Sequence, residues 1–130
     1  RDNPPDAVFN LFEGLPTQPG TEVAVAALLE WLNLPFTGCP SPCLAVGRDK
    51  VRAKHLLTAA RLPTAPYLVV PDGEPVRRWR RGWPAIVKPA AQDASVGIDQ
   101  GSVVNSQDEL AARVEHLRRA YGGDVLVEAF

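Results

Sequence analysis

The stretch from Ser106 to Gly123 restricts the possible folds of this chain more than any other. Ser106 and Glu109 form a capping box, in which the serine side chain accepts a backbone N–H of the first turn and the glutamate reaches back. Leu110, Val114, Leu117 and Tyr121 then recur at three- and four-residue spacing, and Gly122-Gly123 supply a stop. A helix with one apolar stripe must bury it, and aliphatic runs able to receive it lie on both sides in the sequence. Tyr67-Leu68-Val69-Val70 and Ala85-Ile86-Val87, each bounded by proline, read as inner strands, and Val125-Leu126-Val127 is a further apolar run.

Upstream, residues 7–12 read as a short strand ending at Glu13-Gly14, followed by a Pro- and Gly-containing loop. Thr21 is the expected N-cap of a helix over residues 22–33 that is apolar on nearly every side, and Leu34-Pro35 ends it. Pro35-Phe36-Thr37-Gly38 returns as a brief strand, whereas Cys39-Pro40-Ser41-Pro42-Cys43 is too proline-rich for regular structure. Asp49 caps a second helix with Ala53, Leu56, Leu57 and Ala60 as its apolar positions and Arg52, Lys54 and Arg61 on the other face. Alternating strands and helices give the class α/β or α+β, and the composition shift near Pro40 to Pro42 marks the candidate domain boundary.

With 130 residues, 45% of them hydrophobic and 22% charged, the chain can bury a core without staples. Its formal net charge of -1 gives no global pull toward nucleic acid or an anionic membrane. No run approaches the roughly 18 apolar residues of a membrane span, and Arg1 to Pro5 lack the apolar core of a signal peptide, so a cytoplasmic location is the default expectation. The sequence contains no Met, and the apolar run Val125 to Phe130 stops without a turn signal; both lead us to expect a piece of a longer protein.

The chemistry must therefore be local. Trp83-Pro84-Ala85-Ile86-Val87-Lys88-Pro89 places a lysine at the end of an apolar strand, where an unpaired ammonium is costly to bury and an anion would compensate it. The following loop, Ala90 to Gly97, is built mostly of small residues whose N–H groups can approach phosphate oxygens closely. A lysine that snorkels to the surface beside a flexible loop explains the same residues. Neither a Walker A sequence nor Gly-x-Gly-x-x-Gly is present. The segment Arg77-Arg78-Trp79-Arg80-Arg81-Gly82-Trp83 combines charges and rings in a way that suits nucleic acid, but a solvated connection accounts for it in a chain that is not otherwise basic. Cys39 and Cys43 lack the usual third and fourth zinc ligands, with His55 and His116 far off in sequence, and read as free thiols.

Taken in order, Phe9-Asn10-Leu11-Phe12-Glu13-Gly14, Gly20-Thr21-Glu22, Leu34-Pro35-Phe36-Thr37-Gly38, Arg48-Asp49-Lys50, Leu62-Pro63-Thr64-Ala65-Pro66, Val87-Lys88-Pro89, Ser95-Val96-Gly97 and Val125-Leu126-Val127-Glu128 cover nearly the whole chain. With this order and spacing the chain resembles ATP-grasp ligases of the D-alanine–D-alanine ligase type. The resemblance implies an α/β (α+β) fold, with residues 1–42 as the end of a Rossmann-like pre-ATP-grasp domain that contributes to substrate binding. Residues 43–130 would be the first half of the ATP-grasp domain.

It also implies roles. Lys50 and Lys88 would hold nucleotide phosphates, Ser95, Val96 and Gly97 would belong to a loop that closes over them, and Glu128 would accept from the adenine amino group. Ala129 and Phe130 would offer backbone contacts. ATP and Mg²⁺ are the implied cofactors, with the metal ligands expected in a half of the fold that this chain lacks and none expected within it. The implied partners are small amino-acid or dipeptide substrates, with neither nucleic acid nor membrane, and a homodimer of the full-length protein. The implied role is that of a ligase acting through an acyl phosphate, in peptidoglycan precursor synthesis if the dipeptide activity is retained, with the 130 residues alone inactive.

Two departures bear on substrate choice. Glu13-Gly14 stands where such ligases usually show His-Gly, which makes Glu13 the candidate substrate-site residue, and Ala94 replaces the first serine of the loop. The alternatives are a non-catalytic nucleotide-binding ATP-grasp relative and a nucleic-acid-binding module working through Arg77 to Trp83.

Overall fold

The computed structural model describes every residue except Arg1, Asp2, Pro4, Pro16, Thr17, Pro19, Asp93 and Ala94. The chain divides into two units, Arg1–Arg48 and Asp49–Phe130. No helix among the described residues is long and apolar enough to cross a membrane.

The second unit is organised by the apolar runs and the helix that follows them. Strands β1 (Tyr67–Val70), β2 (Ala85–Pro89), β3 (Val103–Val104) and β4 (Val125–Ala129) form one sheet in the order β1-β4-β2-β3. Every pairing is antiparallel, which selects the α+β side of the expected class. The pleat sends alternate side chains to opposite faces. One face, with Leu68, Val70, Ala85, Val87, Val125 and Val127, packs against Leu110, Val114 and Leu117 of helix α4 (Gln107–Tyr121) in one continuous core.

Ser106 caps α4 as expected, its hydroxyl accepting from the Glu109 N–H at 3.2 Å. The Glu109 carboxylate reaches one residue further back than in the reciprocal box and accepts from the Asn105 N–H at 2.8 Å. The buried stripe ends at Leu117, and Tyr121 is exposed.

Helix α3 (Lys50–Ala59) begins at Asp49, whose carboxylate accepts from the Arg52 N–H at 2.9 Å. Its orientation departs from the sequence expectation. Leu56 and Leu57 are exposed, while the Lys54 side chain is only 12% exposed. Lys54, rather than the leucines, faces the sheet, where it meets an anionic partner.

In the first unit, helix α1 (Thr21–Trp31) has Gly20 at the N-cap in the left-handed region, at φ 98°, and Thr21 is its first helical residue. The Thr21 hydroxyl instead ties the preceding loop, accepting from the Leu15 N–H at 2.8 Å and donating to the Gln18 carbonyl at 3.0 Å. The proline-rich segment is not irregular, because helix α2 spans Ser41–Arg48. Pro42 lies in its first turn, where a helix leaves backbone N–H groups without intrahelical partners and proline therefore loses nothing. The Glu30 carboxylate holds this start, accepting from the Ser41 N–H at 2.8 Å and its hydroxyl at 2.6 Å, and these bonds lower the Glu30 pKa.

The two expected upstream strands reduce to one parallel bridge between Val8 and Phe36. The Val8 N–H donates to the Pro35 carbonyl at 2.8 Å and the Thr37 N–H to the Val8 carbonyl at 3.0 Å. Beyond it the Asn10 N–H turns to the Thr37 hydroxyl at 3.0 Å, so a side chain ends the ladder.

Candidate functional site

The face of the sheet turned away from α4 carries the charged residues. Tyr67 and Ile86 lie opposite Glu128, and Lys88 opposite Leu126, so Tyr67, Lys88 and Glu128 share that face. The Glu128 side chain is only 8% exposed, and its two oxygens are divided between two cations: Oε1 pairs with Lys54 Nζ and Oε2 with Lys88 Nζ. Burial pushes the Glu128 carboxyl up, but the hydrogen bonds and charges of Lys54 and Lys88 outweigh it and hold the group below its ordinary value.

The two lysines are held differently. Lys54 also donates to the Thr64 hydroxyl at 2.6 Å and the Ala65 carbonyl at 3.3 Å, and sits 5.6 Å from the centre of the Tyr67 ring. Lys88 has a 21% exposed side chain, and Glu128 is its ion-pair partner among the described residues. Two ammonium groups and one carboxylate leave the cluster one positive charge in excess, at the end of β2 from which the small-residue loop departs.

That loop is fixed at both ends. Lys50 donates through Nζ to the Gln92 carbonyl, and through its backbone N–H to the Ala90 carbonyl at 3.2 Å. Gly97 has φ +75°, and a Cβ there would lie 2.6 Å from Cγ of Pro89, so the loop folds back against the residue after Lys88 as only glycine allows. Ser95, also left-handed at φ 64°, accepts at its carbonyl from the Ile98 N–H at 3.0 Å, and Val96 is exposed.

Arg113 of α4 secures the far side. It donates to the Gly97 carbonyl at 2.9 Å, the Ser102 hydroxyl at 2.8 Å and the Asp99 carboxylate at 3.1 Å. The Arg113 hydrogen bond lowers the Asp99 pKa.

Of the expected site residues, Lys50, Lys88, Ser95, Val96, Gly97 and Glu128 thus gather around β2, β4 and the intervening loop. The Ala129 and Phe130 N–H groups are already engaged, donating to the Pro66 carbonyl at 3.0 Å and the Pro84 carbonyl at 3.2 Å. Glu13 is an exposed residue of the first unit. Ala94 and Asp93 lie outside the described residues. Trp79 belongs to the core, its backbone N–H donating to Gln107 Oε1 at 3.0 Å and its indole N–H to the Gly82 carbonyl, while the flanking arginines are exposed. Cys39 and Cys43 are exposed free thiols.

Lys54 is the member of the site that the sequence did not single out. The signal available was indirect: a carboxylate inside an apolar strand needs compensating charge, and Lys54 lies one helical turn after Lys50.

No family model matches the chain. The D-alanine–D-alanine ligase of Geobacter sulfurreducens is 37% identical over 127 residues, which are 96% of this chain and 38% of that protein. Among solved structures, the D-alanine–D-alanine ligase of Helicobacter pylori superposes with a TM-score of 0.71 at 24% identity, over 95% of this chain and 38% of that one. The Bacillus anthracis D-alanine–D-alanine ligase, complexed with ATP, gives 0.66 at 23% identity, over 82% of this chain and 35% of that one.

The fold is that of the ATP-grasp proteins. Within that class, the sequence relatives show that the chain belongs to the D-alanine–D-alanine ligase-like family. It spans 38% of the length of the Geobacter relative.

Proposed function

We propose that the chain is the nucleotide-binding portion of an ATP-dependent carboxylate–amine ligase. The observation that carries this reading is the excess positive charge of the Lys54, Glu128 and Lys88 cluster, set beside a loop that turns back at Gly97. The named relatives join amino acids, and one solved relative holds ATP.

In the proposed reaction a carboxylate oxygen of the first substrate attacks the γ-phosphorus of ATP and ADP leaves. The amine nitrogen of the second substrate then attacks the acyl carbon; the C–N bond forms, the C–O bond to phosphate breaks, and the amine gives up a proton. Lys88 places its ammonium against phosphate oxygens, where charge stabilisation is most of the catalysis. Lys50, anchored to the loop through Gln92, adds a second positive charge. Ser95, Val96 and Gly97 cover the phosphates and keep water from the acyl phosphate. Glu128 accepts from the adenine amino group with lone pairs left over from the two lysines, and Ala129 and Phe130 flank the base.

Among the described residues no group of three His, Cys, Asp or Glu side chains is placed to hold a metal ion such as Mg²⁺. Its ligands are proposed to lie in the portion of the relatives that this chain does not span. The 130 residues alone are accordingly proposed to be inactive. Residues 1–42 are assigned to the substrate-contributing domain, with Glu13 at the substrate site, and residues 43–130 to the ATP-binding domain. The complete protein would be a cytoplasmic enzyme, a homodimer acting on amino acids or a dipeptide, and D-alanine would place it in peptidoglycan precursor synthesis.

The test is phosphate release from ATP by the full-length protein, first with D-alanine and then with a panel of other amino acids, beside a Lys88→Ala control. Release that requires an amino acid and is lost in the control is expected. No release with any member of the panel overturns the enzymatic reading in favour of a non-catalytic nucleotide binder.

A further inference from the structure

We propose that Lys54 is a positioning residue for Lys88, acting through Glu128: it keeps the buried carboxylate compensated when Lys88 leaves it for a phosphate oxygen. The inference rests on the reading that Lys88 meets the phosphates of a nucleotide.

Glu128 sits almost wholly out of water with one ammonium on each oxygen. A buried carboxylate stripped of its cation is strongly unfavourable, far more so than an exposed one. If Lys88 were its sole partner, every phosphate bound by Lys88 would leave Glu128 uncompensated, and the carboxylate would compete with the ligand. Lys54 removes that competition.

It is built to stay. The Thr64 hydroxyl at 2.6 Å, the Ala65 carbonyl at 3.3 Å and the Tyr67 ring at 5.6 Å hold its ammonium in addition to Glu128, and the side chain is 12% exposed against 21% for Lys88. The pinned lysine satisfies the carboxylate, and the less enclosed one carries the charge that an anion uses.

The experiment measures tripolyphosphate binding to the chain by titration calorimetry at fixed ionic strength, with circular dichroism to verify folding. Lys54→Gln is expected to weaken binding by about tenfold or more, because Lys88 can then leave only by stranding Glu128. Adding Glu128→Gln to that variant is expected to restore binding, since no carboxylate remains to be stranded; a purely structural role for Lys54 predicts no such recovery. Unchanged binding in Lys54→Gln, or a loss that Glu128→Gln does not repair, overturns the proposal.

Should Lys54→Gln fail to fold, the comparison is between Glu128→Gln and the double variant. Equal affinities support action through Glu128, and a weaker double variant shows direct anion contact by Lys54 and overturns it. Absence of tripolyphosphate binding by the unaltered chain also overturns the proposal, whereas the ligase reading stands or falls on phosphate release from ATP.

Discussion

The buried carboxylate of Glu128 links stability to acidity in this chain. Glu128 is held below its ordinary pKa by Lys54 and Lys88 against the opposing effect of burial. A depressed folded-state value means that the contribution is fully present above the unfolded value of about 4.3 and is lost as the pH falls through the lower folded value. Glu128→Gln is therefore expected to cost stability at neutral pH, and its difference from the unaltered chain is expected to shrink as the pH drops below about 4. Urea midpoints measured across the acid range check this, and a constant difference would contradict it. Glu30 and Asp99, also lowered, remain in both proteins, so both still lose stability in acid.

At this scale the sequence was informative where a residue broke the character of its run. Lys88 and Glu128 each interrupt an aliphatic strand. Lys54 was hidden for the opposite reason: it lies in a helix rich in basic residues, and its buried position becomes visible only when the strand carrying Glu128 is placed beside it.

Helix α4 shows what local chemistry can decide by itself. Its cap, apolar stripe and glycine stop lie within a span of eighteen residues, from Ser106 to Gly123, so its bounds follow from adjacent residues without knowledge of the sheet. Ser106→Ala removes the side-chain acceptor of the Glu109 N–H and is expected to cost about 1 kcal/mol. A reduced urea midpoint with an unchanged m-value would show it, and no change would mean that the Glu109 bond to Asn105 suffices.

The other elements were less legible wherever a distant partner decided the outcome. α2 begins among prolines because Glu30 of α1 supplies the acceptors for its first residue. Residues 7–12 have the composition of a strand, but a strand is defined by its neighbour, and the pairing stops after the bridge from Val8 to Phe36.

The continuous apolar core lies within Asp49–Phe130, whereas Ala26 is the buried hydrophobic residue among those described in Arg1–Arg48. Small units with little buried apolar surface are marginal on their own. Residues 49–130 expressed alone are expected to unfold in urea as a single cooperative transition. Residues 1–48 alone are expected to show none, with Phe9, Leu11 and Trp31 exposed. Coincident fluorescence and circular dichroism transitions check the first expectation, and a sigmoidal transition for residues 1–48 would refute the second.

The order β1-β4-β2-β3 has a further consequence, for synthesis on the ribosome. β4, seated between β1 and β2, follows both in the sequence, so the two earlier strands emerge without the partner that separates them. Until Val125–Ala129 clears the exit tunnel, β1 and β2 each present an open edge, and this sheet can close only after translation has passed Ala129. A nascent chain that pauses before Val125 is therefore the species on which holding chaperones would act.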